Sequence, residues 1–342
     1  MVQSKNPVFG MLMGEKYILS GEELHRYGLQ KTAEEGGTFL YENPLAFPIG
    51  YATSHIMSNR TMEKLPYAKQ LEAILENAIV AEEALPDSGE TAKPADAVHR
   101  IHPGYTIDGS QPEQITKVSD DVYYVHADAP FSVSVTLDEP IDGLALLSFH
   151  VNNHLGSGTA TGDVVIQVNG IRNKLTNPSW KYQNNNFQFH YAISSWDPIR
   201  QLSFRFSAGD YVISHCTLHV MENRVLQNAA TSVDPWELSM DDAGDDTLAG
   251  NIMVKEDGWF VLSFPYDKGF QVTVDGKETT CYPTDSYLMG FPIAKGSHRI
   301  VVSYTAPGFR AGAACSGIGA ILVCAFAIHG MIRSRYRFQK KA

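Results

Sequence analysis

The stretch NPSWKYQNNNFQFHYAISSWDP, residues 177–198, concentrates side chains suited to holding a sugar. Trp180, Tyr182 and Trp196 offer flat rings that stack on the apolar faces of pyranoses. Asn184, Asn185 and Asn186 offer amides that bond to hydroxyl groups. Trp180, Tyr182, Trp196 and Asn185 are therefore candidate carbohydrate contacts. The same residues also fit a plainer arrangement, in which the rings fill a sandwich core and the asparagines form a loop.

Catalytic constellations are harder to find. The chain has no G-x-S-x-G elbow, no H-E-x-x-H, no Walker loop and no cysteine pair at metal spacing. His150 and His154, like His215 and His219, share a strand face, but four residues at about 3.3 Å each hold them roughly 13 Å apart. Only a cross-strand cluster, for example with His99 or His102, would bring imidazoles to one metal. GSGTATG (156–162) has the glycines of a phosphate loop but no Lys, and it lies between strands rather than opening a helix. DDAGDD (241–246) lacks the alternating carboxylates and closing Glu of a calcium loop. No catalytic, cofactor or metal residue is assigned, and the chain reads as a binding or structural module.

The elements that would carry the aromatic stretch are strands. From about residue 98 the apolar period is two: FSVSVTL, LALLSFHV, VVIQV, FQFHYAI, LSFRF and YVISHCTLHV alternate along their length. Asp108-Gly109, Asp142-Gly143 and Asn169-Gly170 supply turns that tolerate positive φ. Such strands without intervening helices predict a jelly-roll-like β-sandwich over 98–222. Around it the sequence predicts a mainly β chain in further parts. Residues 1–60 form a small mixed region, and 61–97 an amphipathic helix and connector, with Leu71, Ile74, Leu75, Ala78 and Ile79 at helical spacing. A polar acidic linker or helix covers 223–250, and a small β domain covers 251–308, with turns at Lys268-Gly269 and Asp275-Gly276.

Residues 309–332 then read as a transmembrane helix. Its uncharged part, Ala311–Ile332, reaches about 33 Å as a helix, enough for a hydrocarbon core of roughly 30 Å. A buried Ala-rich helix in a soluble domain is the alternative. Gly312, Ser316, Gly317 and Ala320 would allow close packing against other spans. Arg333, Arg335, Arg337, Lys340 and Lys341 form a basic anchor in 333–342, so the tail is expected in the cytoplasm and the body outside. The chain carries 27 basic and 38 acidic residues; without the five tail cations, 22 face 38. A body this acidic repels polyanions, so nucleic acid is not an expected partner. Cys216 and Cys281 fit either a disulfide in an external body or two buried thiols.

Several segments together resemble the C-terminal, extracytoplasmic part of YfhO-family bacterial membrane proteins. They are LMGEKYILS (12–20), GGTFLYENPLAFPIGYA (36–52), GWFVLSFPYDKGFQVTVDGKE (258–278) and FPIAKGSHRIVVSYTAPGFRAG (291–312). The resemblance implies a many-spanning protein of the GT-C type, linked to sugar transfer from lipid-phosphate carriers to cell-envelope polymers such as lipoteichoic acid. The catalytic acid of such enzymes is expected on an early loop of the membrane region, which has no counterpart here. The resemblance therefore implies a non-catalytic portion that binds acceptor or sugar or caps the membrane active site. Its expected partners are the bilayer, a multi-spanning region or subunit, and a cell-envelope glycan. A truncated chain or one piece of a split gene would explain a body that lacks an export signal. The rival reading is a stand-alone, membrane-anchored carbohydrate-binding or structural module.

Overall fold

Alternating side chains build two facing sheets in the middle of the chain. The computed structural model describes residues 6–108, 113–154, 162–242, 244 and 246–339. One sheet runs in the order 171–175, 164–168, 199–206, 131–141, 105–107. The other runs 188–193, 144–152, 209–221, 122–127, 115–119, with 98–101 also paired to 209–221. The chain changes sheet after Ala127, Ile141, Asn152, Leu175, Ile193 and Phe206. This repeated crossing is the jelly-roll character expected from the sequence. Val125, Phe149, Val151, Ile166, Phe189, Tyr191 and Tyr211 fill the space between the sheets. The Asn169-Gly170 turn takes left-handed φ at both residues, +47° and +75°, as a tight hairpin requires.

Leu144–Asn152 is buried on both faces. Ala145, Leu147, Phe149 and Val151 point into the sandwich core. Leu144 and Leu146 join a second cluster with Tyr51, Leu75, Val225, Leu226, Trp259 and Leu288. That cluster ties the sandwich to the helices Tyr67–Glu76 and Asn223–Ser232 and to another sheet. A strand covered on both sides loses its polar face, which is why LALLSFHV is almost wholly apolar.

The other sheet holds eleven strands among the described residues, in the order 277–279, 270–274, 296–304, 247–254, 234–238, 50–53, 258–265, 288–293, 282–284, 78–80, 56–58. It draws strands from the mixed region at the start of the chain and from the β segment near its end. Gly50–Thr53 lies between Asp234–Leu238 and Gly258–Pro265. Ile56–Ser58 pairs in parallel with Ala78–Val80, the helix Tyr67–Glu76 lying in the crossover between them. A separate three-stranded sheet joins 17–20, 38–42 and 30–35.

Two elements differ from the sequence reading. The helix ends at Glu76, so Ala78 and Ile79 belong to a strand. Asn77 stops it: its backbone is extended and its Nδ2 donates to the Ala73 carbonyl at 2.9 Å. The segment 223–250, expected as a polar acidic linker or helix, holds the helix Asn223–Ser232 but also the strand Asp234–Leu238 and the start of Thr247–Val254. Trp236, only 3% exposed, anchors the middle of that segment in the core.

Candidate functional site

The loop between Ile171–Leu175 and Gln188–Ile193 carries Trp180, Tyr182 and Asn185. Trp180 and Tyr182 are 59% and 77% exposed, so they do not fill the core. Phe189 and Tyr191, from the same stretch, do. The amides of Asn184 and Asn186 are spent on the loop's own shape. Asn184 Oδ1 accepts from Thr176 N (3.0 Å), and the Nδ2 groups of Asn184 and Asn186 both donate to the Lys174 carbonyl (2.8 and 3.2 Å). Asn185 takes the left-handed turn conformation, φ +49°.

Trp196 lies elsewhere. It follows the strand Gln188–Ile193, whereas Trp180 and Tyr182 precede it. The six-residue strand between the two loops is about 20 Å long. The aromatic residues therefore lie on two different loops, and Trp196 borders a cleft.

That cleft is built by an arm of the chain, residues 21–30, docking on the end of the sandwich. Tyr27 N donates to Ser194 Oγ at 3.1 Å, Gln227 Nε2 donates to the Tyr27 hydroxyl, and Leu24 N donates to the Tyr41 hydroxyl at 2.9 Å. His25 meets the Trp196 ring edge-on, with centroids 5.1 Å apart. Gly28 has φ +84°, and a Cβ there would lie 2.5 Å from Leu45 Cδ1, so only glycine lets the arm turn. Two hollows result. One, of about 790 Å³, is lined by His25, Arg26, Asn169, Asp197, Arg200 and Gln201 among others. The second, about 390 Å³, is bordered by Tyr27, Leu45, Trp196 and Gln227.

Burial lowers the Arg26 guanidinium from its ordinary value, against an opposing pull from Glu15. Asn169 and Gln201 are held in place: Asn169 Oδ1 accepts from Ser203 N (2.8 Å) and Gln201 Nε2 donates to Asp108 Oδ2 (2.7 Å). A half-exposed indole in one hollow, with donors and acceptors of both signs lining the next, can stack one ring and leave hydroxyls to bond in the neighbouring hollow. Sequence reasoning found Trp196 but missed His25, Arg26, Tyr27 and Gln227. Nothing in GEELHRYGLQ marks it as a partner of residues about 170 positions away.

The model of the family described as Bacterial membrane protein YfhO matches residues 3–316. The chain belongs to the YfhO family. It is 21% identical over 324 residues to the protein named Uncharacterized protein YfhO from Bacillus subtilis (strain 168), covering 92% of this chain and 35% of that one. It thus spans about a third of the length of that curated relative. Among solved structures, the plant peptide RALF23 in complex with FER and LLG2 aligns at 6% identity with a TM-score of 0.22, over 53% of this chain and 77% of that one. A cupin 2 conserved barrel domain protein from Leptotrichia buccalis aligns at 8% identity and a TM-score of 0.13, over 56% and 92%. Neither alignment carries an argument about the fold.

A bacterial membrane protein family accords with the C-terminal helix Phe309–Gln339 of this YfhO-family chain, whose segment Phe309–Met331 is long and apolar enough to cross a membrane. Gly312, Ser316, Gly317 and Ala320 are exposed on it. Arg333, Arg335 and Arg337 fall on its last turns, while Lys340 and Lys341 lie outside the described residues. So does most of GSGTATG. Of the histidines, His150 and His215 approach to 6.3 Å between ring centroids, and His99 pairs across from Val220, beside His219. Among the described residues no three His, Cys, Asp or Glu side chains converge as a metal site requires. Cys216 and Cys281 are free thiols. Burial pushes them up to about 12 and about 11, so neither carries much thiolate at neutral pH.

Proposed function

We propose that this chain is the non-catalytic, extracytoplasmic body of a YfhO-like membrane glycosyltransferase, and that it holds a cell-envelope glycan in the cleft beside Trp196. The observation that carries this reading is the cleft itself: a half-exposed indole met edge-on by His25, with Arg26, Asp197 and Arg200 lining the adjoining hollow that His25 shares, assembled from separate parts of the chain. Family membership supports the membrane setting. The cations after residue 332 support a cytoplasmic tail and an external body. Sugar transfer would fall to a multi-spanning region or subunit, against which Gly312, Ser316, Gly317 and Ala320 would pack.

The full chain in detergent, applied to an array of bacterial glycans, tests the cleft. Trp196→Ala should weaken binding about tenfold, the loss of one ring stack worth roughly 1.4 kcal/mol. Trp180→Ala should leave binding unchanged. Full affinity in Trp196→Ala would sink the cleft, and loss in Trp180→Ala alone would move the site to the 176–187 loop. External protease on whole cells should digest the body, and an intact body would reverse the orientation.

A further inference from the structure

The registers of the eleven-stranded sheet fix what collects at each of its ends. Phe270 pairs with Tyr304, Thr247 with Ser303, Gly50 with Leu262, and Pro265 with Leu288. Tyr304, Phe270, Tyr266 and Tyr287 therefore share one end. Tyr266 N donates to the Tyr287 carbonyl at 2.8 Å. Phe9, from the helix Pro7–Leu12, stacks on Tyr287 with centroids 6.4 Å apart, and the Tyr287 hydroxyl donates to Met13 Sδ at 3.3 Å. Phe270 leans on Tyr304 at 4.7 Å. Phe9, Tyr266, Tyr287 and Tyr304 are each 37–38% exposed. An apolar hollow of about 400 Å³, bordered by Leu248, Phe264, Phe270 and Tyr304, lies at the same end. The opposite end has another character, with Lys255, Asp257, Asp275, Lys277 and Lys295 on its turns.

The apolar helix leaves from the aromatic end. Thr305 N still donates to the Gly269 carbonyl at 2.9 Å, so sheet pairing persists to that residue. Phe309, the first helical residue, donates its N–H to the Ala306 carbonyl at 3.0 Å. One such turn keeps its first and last Cα atoms within about 7 Å. The polar headgroup layer is roughly 5–8 Å deep on each side of the hydrocarbon. A helix that enters lipid at Phe309 thus holds the sheet end at headgroup depth.

We propose that this rim is a docking surface for the bilayer interface: Phe9, Tyr266, Tyr287 and Tyr304 rest among the headgroups of the membrane that Phe309–Met331 crosses. Aromatic rings with a polar edge are the side chains that favour this depth. Asp246 and Asp267 are exposed at the same rim and offset the exposed Lys268 and Arg310, so the contact is made by rings rather than by attraction to anionic lipid. The two tethers, rim and span, would fix the tilt of the body and so the height of the Trp196 cleft. The inference rests on the membrane-spanning reading of the helix and not on glycan binding.

Photo-crosslinking of the full chain in vesicles of phosphatidylethanolamine and phosphatidylglycerol tests it. Tyr266→p-benzoylphenylalanine and Tyr287→p-benzoylphenylalanine keep an aromatic ring at each site. The same probe at Ile321 reports the span, and at Lys277 the far end of the sheet. Lipid adducts found by mass spectrometry should be several-fold more abundant at 266 and 287 than at 277, strong at 321, and indifferent to the phosphatidylglycerol fraction. Adducts at 321 with 266 and 287 no higher than 277 would overturn the rim while keeping the span. No adduct at 321 would overturn the span and the rim with it. Protein adducts at 266 and 287 in native membranes, with lipid at 321, would overturn it in favour of a covering subunit.

Discussion

Asp285 is a carboxyl placed where charge is costly. Its Oδ1 accepts from Ile79 N at 2.8 Å, its Oδ2 has no hydrogen-bond partner, and burial raises it to about 7. Tyr51 and Tyr287 stand close enough to feel its charge. Between about pH 4 and 7 the folded chain keeps a proton that the unfolded chain has released. Stability therefore falls as pH rises through that window, and the deficit is complete above it. Asp285→Asn keeps the acceptor, suits the left-handed backbone at φ +51°, and cannot ionise. Its unfolding free energy should change little across the window and exceed the parent's at pH 8 by on the order of a few kcal/mol. Parallel pH profiles for parent and variant would clear Asp285 of this role. None of this was legible in PTDSY, because the cost comes from the strand Ala78–Val80 closing over the carboxyl.

Among the elements, the helix Tyr67–Glu76 shows how far local pattern reaches. Of its expected stripe, Leu75 is buried and Leu71 and Ile74 are half-buried against the same cluster, while Ala68 and Ala73, outside that stripe, are buried as well. Two polar features of its docking were not readable. Glu72, fully buried, accepts from Ala97 N at 2.8 Å and Val98 N at 2.9 Å, stapling the helix to the first strand of the sandwich. Tyr67 stacks on His190 at 3.9 Å, while His190 Nδ1 meets Ser148 Oγ at 2.8 Å. Periodicity assigns a face to Glu72 but cannot name the amides that will meet it. Glu72→Ala leaves two N–H groups without acceptors, at about 1–3 kcal/mol each. Chemical denaturation should register that loss, and hydrogen exchange should quicken first at Val98–Ile101. A variant with parental stability and exchange would refute the staple.

At the scale of the whole molecule, the start and end of the chain are one structure. Gly50–Thr53 is an inner strand of a sheet otherwise made largely from residues 234–304. Ser263 Oγ donates to the Leu12 carbonyl at 2.8 Å, and Trp259 and Val261 share a cluster with Val8 and Met11. A chain starting at residue 61 would open a gap between Asp234–Leu238 and Gly258–Pro265. It should aggregate, whereas residues 6–306 should give a sharp unfolding transition. Residues 251–308 expressed alone should show the dispersed amide spectrum of a folded domain only if this sheet is less cooperative than its registers imply. The tilt set by rim and span also belongs to this scale.

The sequence by itself determined what depends on neighbours along the chain. Alternation in FSVSVTL, the turn at Asn169-Gly170, the apolar run after Phe309 and the YfhO-like segments were all readable, because period, φ tolerance and hydrocarbon length are local properties. The tertiary structure alone decided the rest. It put Trp180 and Trp196 on loops at opposite ends of the strand Gln188–Ile193, whose length is about 20 Å. It set His25 against Trp196 with Arg26 in the adjoining hollow, and it gathered Tyr266, Tyr287 and Tyr304 into one rim. Those meetings follow from sheet register and docked arms. A linear sequence does not display such pairings of distant residues.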